Sequence, residues 1–147
     1  VLLCAAKPAL PQPAEPGHGL LAGLRQPTVL LVEDDRFLQH VLQQQFARIG
    51  LQVDLAPDGQ AALACWMERR HELVLTDINV PLLSGIELTR QIVARAGAEH
   101  RDVVVVGQSA DTAEALHALA RESGMREVLA KPVGDDTIRR IIVHYFN

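Results

Sequence analysis

The feature that most limits how this chain can fold is a set of apolar runs without alternation, each followed by a stretch of helical period. TVLLV (28–32), ELVLTD (72–77) and DVVVVGQSA (102–110) are rich in consecutive branched apolar residues. A strand wetted on one face alternates. Consecutive apolar residues mean that both faces are covered, as in a parallel sheet layered between helices. LQVDLA (51–56) and EVLA (127–130) read as two shorter strands. Residues 36–49 carry Phe37, Leu38, Val41, Leu42, Gln45, Phe46 and Ile49 at helical spacing, and Gly50 ends them. A PDG turn opens the helix QAALACWMERR (60–70), and another helix starts near Ser84 in SGIELTRQIVARA. DTAEALHALARES (111–123) is a helix closed by Gly124, and GDDTIRRIIVHYF (134–146) sets Ile138, Ile141, Ile142 and Tyr145 on one face. Strand and helix thus alternate five times over residues 28–147. Right-handed crossovers then predict an α/β fold: a doubly wound, five-stranded parallel sheet with flanking helices.

The 147 residues are 48% hydrophobic but only 3% aromatic, so the core must be built from Leu, Val, Ile and Ala. One domain over 28–147 accounts for that content. Residues 1–27 hold Pro8, Pro11, Pro13, Pro16 and Pro27 and read as a semi-rigid linker. VLLCAAKPAL is expected to be the last strand of an upstream domain, and LLAGL a short helical turn. A start on Val fits an excised or processed piece. The net charge of −4 and pI near 5.8 argue against a nucleic-acid footprint and against a polybasic membrane contact. There is no transmembrane run and no signal peptide pattern. Cys4 and Cys65 lack metal spacing, which points to reduced thiols and a cytoplasmic setting.

Ligands of doubly wound sheets bind at the carboxyl ends of the strands. The first strand ends on Glu33, Asp34 and Asp35, the third on Asp77 and the fourth on Ser109, and Lys131-Pro132 follows the fifth. Two carboxylates about 4 Å apart repel by roughly 4 kcal/mol at an effective dielectric of about 20. Such a cluster needs solvent, a proton or a cation. Carboxylates without thiol or imidazole form a hard-oxygen site, suited to Mg2+ or Mn2+. A lysine and a small hydroxyl beside it could hold phosphoryl oxygens, with Asp77 as a carboxylate nucleophile. Taken singly, the same residues have plainer roles. Glu33 and Asp34 could cap the next helix, Asp35 reads as a helix-start acid, Ser109 as a loop serine and Lys131 as a surface lysine. Trp66 and Met67 read as core residues and Cys65 as a small buried hydrophobe. His71, followed by Glu72, weakly fits a phosphodonor histidine, and the other histidines have no metal spacing. Neither a G-x-G-x-x-G nor a G-x-x-x-x-G-K-[ST] motif is present, so no nucleotide site is indicated.

VLLVEDD, LVLTDINVPLLSG, VVVVGQSA and LAKP together resemble the four signature stretches of the receiver domain of bacterial two-component response regulators. The resemblance spans residues 28–146, and it implies the flavodoxin-like receiver fold. It implies that Asp77 is phosphorylated and works with Lys131 and Ser109. Glu33 and Asp34 would form the acidic pocket, with Asp34 a direct Mg2+ ligand, Glu33 acting through water and the Asn79 carbonyl completing the set. Pro81 and Gly85 would shape the loop after Asp77, and the Lys131–Pro132 bond would be cis. The helix 111–123, the strand 127–130 and the last helix would form the readout face. The implied function is a phosphorelay acceptor that takes a phosphoryl group from phosphohistidine. It catalyses its own phosphorylation and dephosphorylation rather than turning over a substrate. Its partners would be a histidine kinase or a histidine phosphotransfer domain, with a weak homodimer as a further state.

The chain also departs from the pattern. Val128 stands where many receivers have an aromatic residue, and Gly107 and Gln108 stand where many have larger apolar ones. Asn79 and Asp111 are small and polar at positions that tune dephosphorylation, which predicts a short-lived phosphoryl group. GMREVLAKPV is similar to receivers at the C-terminus of hybrid sensor histidine kinases; the alternative is a stand-alone response regulator. A haloacid-dehalogenase-type phosphatase is a rival, although DIN puts Asn79 where its second Asp belongs. A binding-only pseudo-receiver is another.

Overall fold

A computed structural model describes residues 26–147. The expected linker, the upstream strand VLLCAAKPAL and the helical turn LLAGL fall on residues outside that range. The elements run β1 (Val29–Val32), α1 (Arg36–Arg48), β2 (Val53–Ala56), α2 (Gly59–Arg69), β3 (Leu73–Asp77), α3 (Gly85–Ala98), β4 (Val104–Ser109), α4 (Glu114–Ser123), β5 (Glu127–Ala130) and α5 (Asp135–Phe146). All strands are parallel and lie in the order β2-β1-β3-β4-β5. The order reverses between β1 and β3, so their carboxyl ends border a crevice.

Strand alternation divides the core in two. Val29, Leu31, Leu73, Leu75, Val104 and Val106 pack against α1 and α5 through Phe46, Ile138 and Ile142. Leu30, Val32, Val74 and Val105 pack against α2, α3 and α4 through Trp66, Leu88, Ile92 and Ala120. The apolar runs therefore feed both layers at once. At about 25 cal/mol per Å2 of apolar surface buried, this double coverage is what holds so short a sheet together.

Side-chain caps set several helix starts. Asp35 Oδ1 accepts from Leu38 N at 3.0 Å, Asp58 Oδ1 from Ala61 N at 2.7 Å, and Ser84 Oγ from Glu87 N at 3.2 Å. The capping role considered for Glu33 and Asp34 thus belongs to Asp35. Helix α4 begins three residues later than the sequence pattern predicts. Asp111 and Thr112 are drawn into a turn instead, with Asp111 N donating to Ser109 Oγ at 2.9 Å and Ala113 N to Asp111 Oδ1 at 2.8 Å.

Met67, read as a core residue, and Phe37, counted in the helical pattern of residues 36–49, lie outside the core. Phe37 is 72% exposed and Met67 39% exposed. Phe37 precedes the buried Phe46 by nine residues, which at about 100° per residue puts it on the opposite face of α1. Met67 is likewise turned away from Ala62 and Cys65. Cys65 is buried as expected, but it is not a free thiol, which departs from the expected reduced state. Cys4 lies outside the described residues.

Candidate functional site at the carboxyl rim of the sheet

Four chain segments meet beyond the ends of β1, β3, β4 and β5. Glu33 follows β1 and is 1% exposed. Its main-chain N–H donates to Ala56 O and its carbonyl accepts from Gln39 Nε2 at 2.6 Å, so its backbone is tied on both sides. Asp34, the next residue, is exposed. Asp77 ends β3 and is buried, with Oδ1 accepting from Asn79 N at 3.0 Å. One carboxylate oxygen from each of Glu33, Asp34 and Asp77 can be chosen so that all lie within 4.8 Å of one another.

Lys131 stands between two of these acids. Its Nζ donates to Asp77 Oδ2 at 2.5 Å and to both Glu33 oxygens at 3.3 Å. Because β4 separates β3 from β5, the lysine must reach across the end of β4 to make these contacts. Lys131 N also donates to Ser109 O, and the Lys131–Pro132 bond is cis. Ser109 is buried at the end of β4, where its Oγ accepts from Asp111 N.

Burial pushes the Glu33 carboxyl up to about 7; Lys131 pulls it down and Asp77 adds to the rise. Burial disfavours the Lys131 ammonium, but its bonds to Asp77 and Glu33 hold its pKa above the ordinary value. The lysine therefore stays charged and offsets part of the negative cluster. Hard oxygen donors at this separation suit a small divalent cation and do not suit a soft one.

The loop after Asp77 is drawn tight against the strand. Gly85 N donates to Ile78 O at 2.9 Å, and a Cβ on Gly85 would meet Asp77 O at 2.3 Å. Only glycine fits there. Pro81 lies in the same loop, where its carbonyl accepts from Gly59 N at 3.1 Å.

The family model of the response regulator receiver domain matches residues 29–143. The chain belongs to the receiver domain family. The receiver domain is 36% identical over 115 residues to the virulence sensor protein BvgS of Bordetella pertussis, covering 76% of this chain and 9% of BvgS. It is 31% identical over 117 residues to the sensor histidine kinase RcsC of Escherichia coli, covering 80% of this chain and 12% of RcsC. It thus spans about a tenth of these sensor proteins. Among solved structures, the receiver domain of sensor histidine kinase PA1611 from Pseudomonas aeruginosa superposes with a TM-score of 0.73 at 27% identity, covering 82% of this chain and 98% of that one. That structure holds a magnesium ion in its active-site cleft. A co-crystal structure of the Saccharomyces cerevisiae phosphotransfer protein Ypd1 with the Ssk1 receiver domain matches with a TM-score of 0.77 at 27% identity, covering 84% and 90%. Family membership removes the haloacid-dehalogenase alternative.

A polar cluster that the sequence reading missed lies elsewhere. His71 is 2% exposed, with Nε2 2.7 Å from Asp54 Oδ2, and Arg69 Nη1 holds the same carboxylate at 3.1 Å. The Trp66 indole N–H donates to His71 O at 3.0 Å. The signal was an acid inside a strand otherwise apolar, in LQVDLA. His71 precedes β3, at the end of the sheet opposite Asp77. Its burial there disagrees with a phosphodonor role.

Proposed function

We propose that this receiver domain accepts a phosphoryl group from phosphohistidine onto Asp77. The observation that carries this reading is Lys131 Nζ on Asp77 Oδ2 with Glu33 and Asp34 alongside. An Asp77 carboxylate oxygen attacks phosphorus, the P–N bond breaks, and the imidazole leaves with the electron pair and takes up a proton. Asn79 N–H orients the carboxylate through Oδ1. Lys131 moves its charge to a phosphoryl oxygen, and Ser109 exchanges its Asp111 contact for another. Asp34, Asp77 and the Asn79 carbonyl would hold Mg2+, with Glu33 acting through water. Bound there, the ion supplies positive charge opposite the transferring oxygens.

The likeness to BvgS and RcsC supports a place within a hybrid sensor histidine kinase. No helix among the described residues is long and apolar enough to cross a membrane. The partner is a histidine phosphotransfer domain, for which the exposed Phe37, three residues after Asp34, offers an apolar contact. The α4–β5–α5 face, with Leu119 and Val143 exposed, carries the readout and a weak homodimer. Asn79 and Asp111 are both exposed, which leaves water a path to the phosphoryl group and keeps its lifetime short.

Incubation with acetyl phosphate and Mg2+ tests the assignment. One base-labile phosphoryl group is expected on the parent chain and none on Asp77→Asn. Equal labelling of both would overturn it.

A further inference from the structure

Gln108 is 2% exposed, and its Nε2 has no hydrogen-bond partner. A buried amide donor left unmade costs its full desolvation, so an orphan of this kind calls for an explanation. Its place supplies one. Gln108 is the β4 residue in register with Asp77 of β3 and with Leu129 of β5. Residues paired across parallel strands point to the same face. On β4 that face carries Val104 and Val106, on the side of α1 and α5, and Gln108 continues the same period of two. Lys131 crosses from the end of β5 to Asp77 on β3, and the β4 side chain between them on this face is Gln108. Strands lie about 4.8 Å apart, so the lysine stem has to pass over this residue.

We propose that the Gln108 carboxamide is an additional donor of the acceptor site, underlying Lys131, and that its N–H engages an oxygen of Asp77 or of the phosphoryl group it carries. Each Asp77 oxygen already has a donor, in Asn79 N and Lys131 Nζ. Lysine is a donor only and cannot use the amide N–H. The amide comes into use when phosphoryl oxygens arrive and Lys131 turns to them. The rival is a packing role: Gln45 Oε1, also buried and unpartnered on the α1 side, could pair with Gln108 across the core.

The inference rests on the proposed phosphoacceptor role of Asp77, and beryllofluoride with Mg2+ separates the two. If the parent chain fails to bind it, both fall. If the parent binds, Gln108→Leu decides. An apolar residue of similar size removes the orphan, so Gln108→Leu should be at least as stable in urea as the parent. Its beryllofluoride Kd should nonetheless rise about tenfold, the worth of one hydrogen bond to a charged group. Stability unchanged or raised with Kd within twofold overturns the proposal; lost stability with unchanged Kd overturns it in favour of the Gln45 pairing. Should Gln108→Leu not fold, Gln108→Met gives the same reading. In the parent, the Gln108 side-chain amide resonance should shift on adding beryllofluoride, and an unmoved resonance also overturns the proposal.

Discussion

At the scale of single residues, the site balances a lysine against more carboxylate than it can neutralise. Lys131 is only partly exposed and holds Glu33 and Asp77 together. Lys131→Met leaves the two acids facing each other with no cation between them. It should lower the stability of the metal-free chain by about 2 kcal/mol, below the usual loss for a fully buried pair because some solvent reaches it. Added Mg2+ should narrow that gap in urea titrations, whereas a loss indifferent to Mg2+ would mean the lysine merely packs. The neighbouring Asp35 gives the contrasting case. It caps α1, so Asp35→Ala should cost about 1 kcal/mol while leaving the Mg2+ affinity unchanged. Much of this was legible before the fold was known. Glu33, Asp77 and Lys131 each end or follow an apolar run, and the parallel order brings such ends together. Asp54, His71 and Arg69 were not legible, because their pairing joins β2 to the chain just before β3, two strands that β1 separates in the sheet.

Among the elements, the β3–α3 connection has least room to change. Gly85 lies so close to the Asp77 carbonyl that any side chain must displace the end of β3. Gly85→Val should cost about 2 kcal/mol by overpacking and should slow labelling by acetyl phosphate, because it moves Asp77, the acceptor proposed above. Normal labelling on a destabilised chain would show that the strand end can yield without moving Asp77. The helices were readable from their period, and the errors have a common geometry. Phe37 and Met67 are apolar residues on the outer faces of α1 and α2, where composition says core and angle says surface. The delayed start of α4 has another cause, since Asp111 closes a local turn that competes with the helix. In β4, Gly107 leaves a hollow that Met125 fills: a Cβ there would meet Met125 Sδ at 2.5 Å. That exchange of bulk between two elements is not visible in either segment alone.

For the molecule as a whole, stability carries a pH signature from the end of the sheet remote from Asp77. Burial holds the His71 imidazole below its ordinary value, although Asp54 works against it. A histidine with a lowered folded pKa takes up its proton more readily in the unfolded chain. Its contribution to stability is therefore present above about pH 6.5 and is lost as pH falls below that value. Between pH 7 and pH 5 the urea midpoint of the parent should fall more than that of His71→Gln. Parallel curves would mean that Asp54 compensates fully. The order β2-β1-β3-β4-β5 has one more consequence. The acids, the lysine and the serine all occupy a single rim, so the outward sides of the helices supply none of them. Descendants of this chain can repaint those sides, and so change whom the molecule addresses, without retuning the reaction it performs.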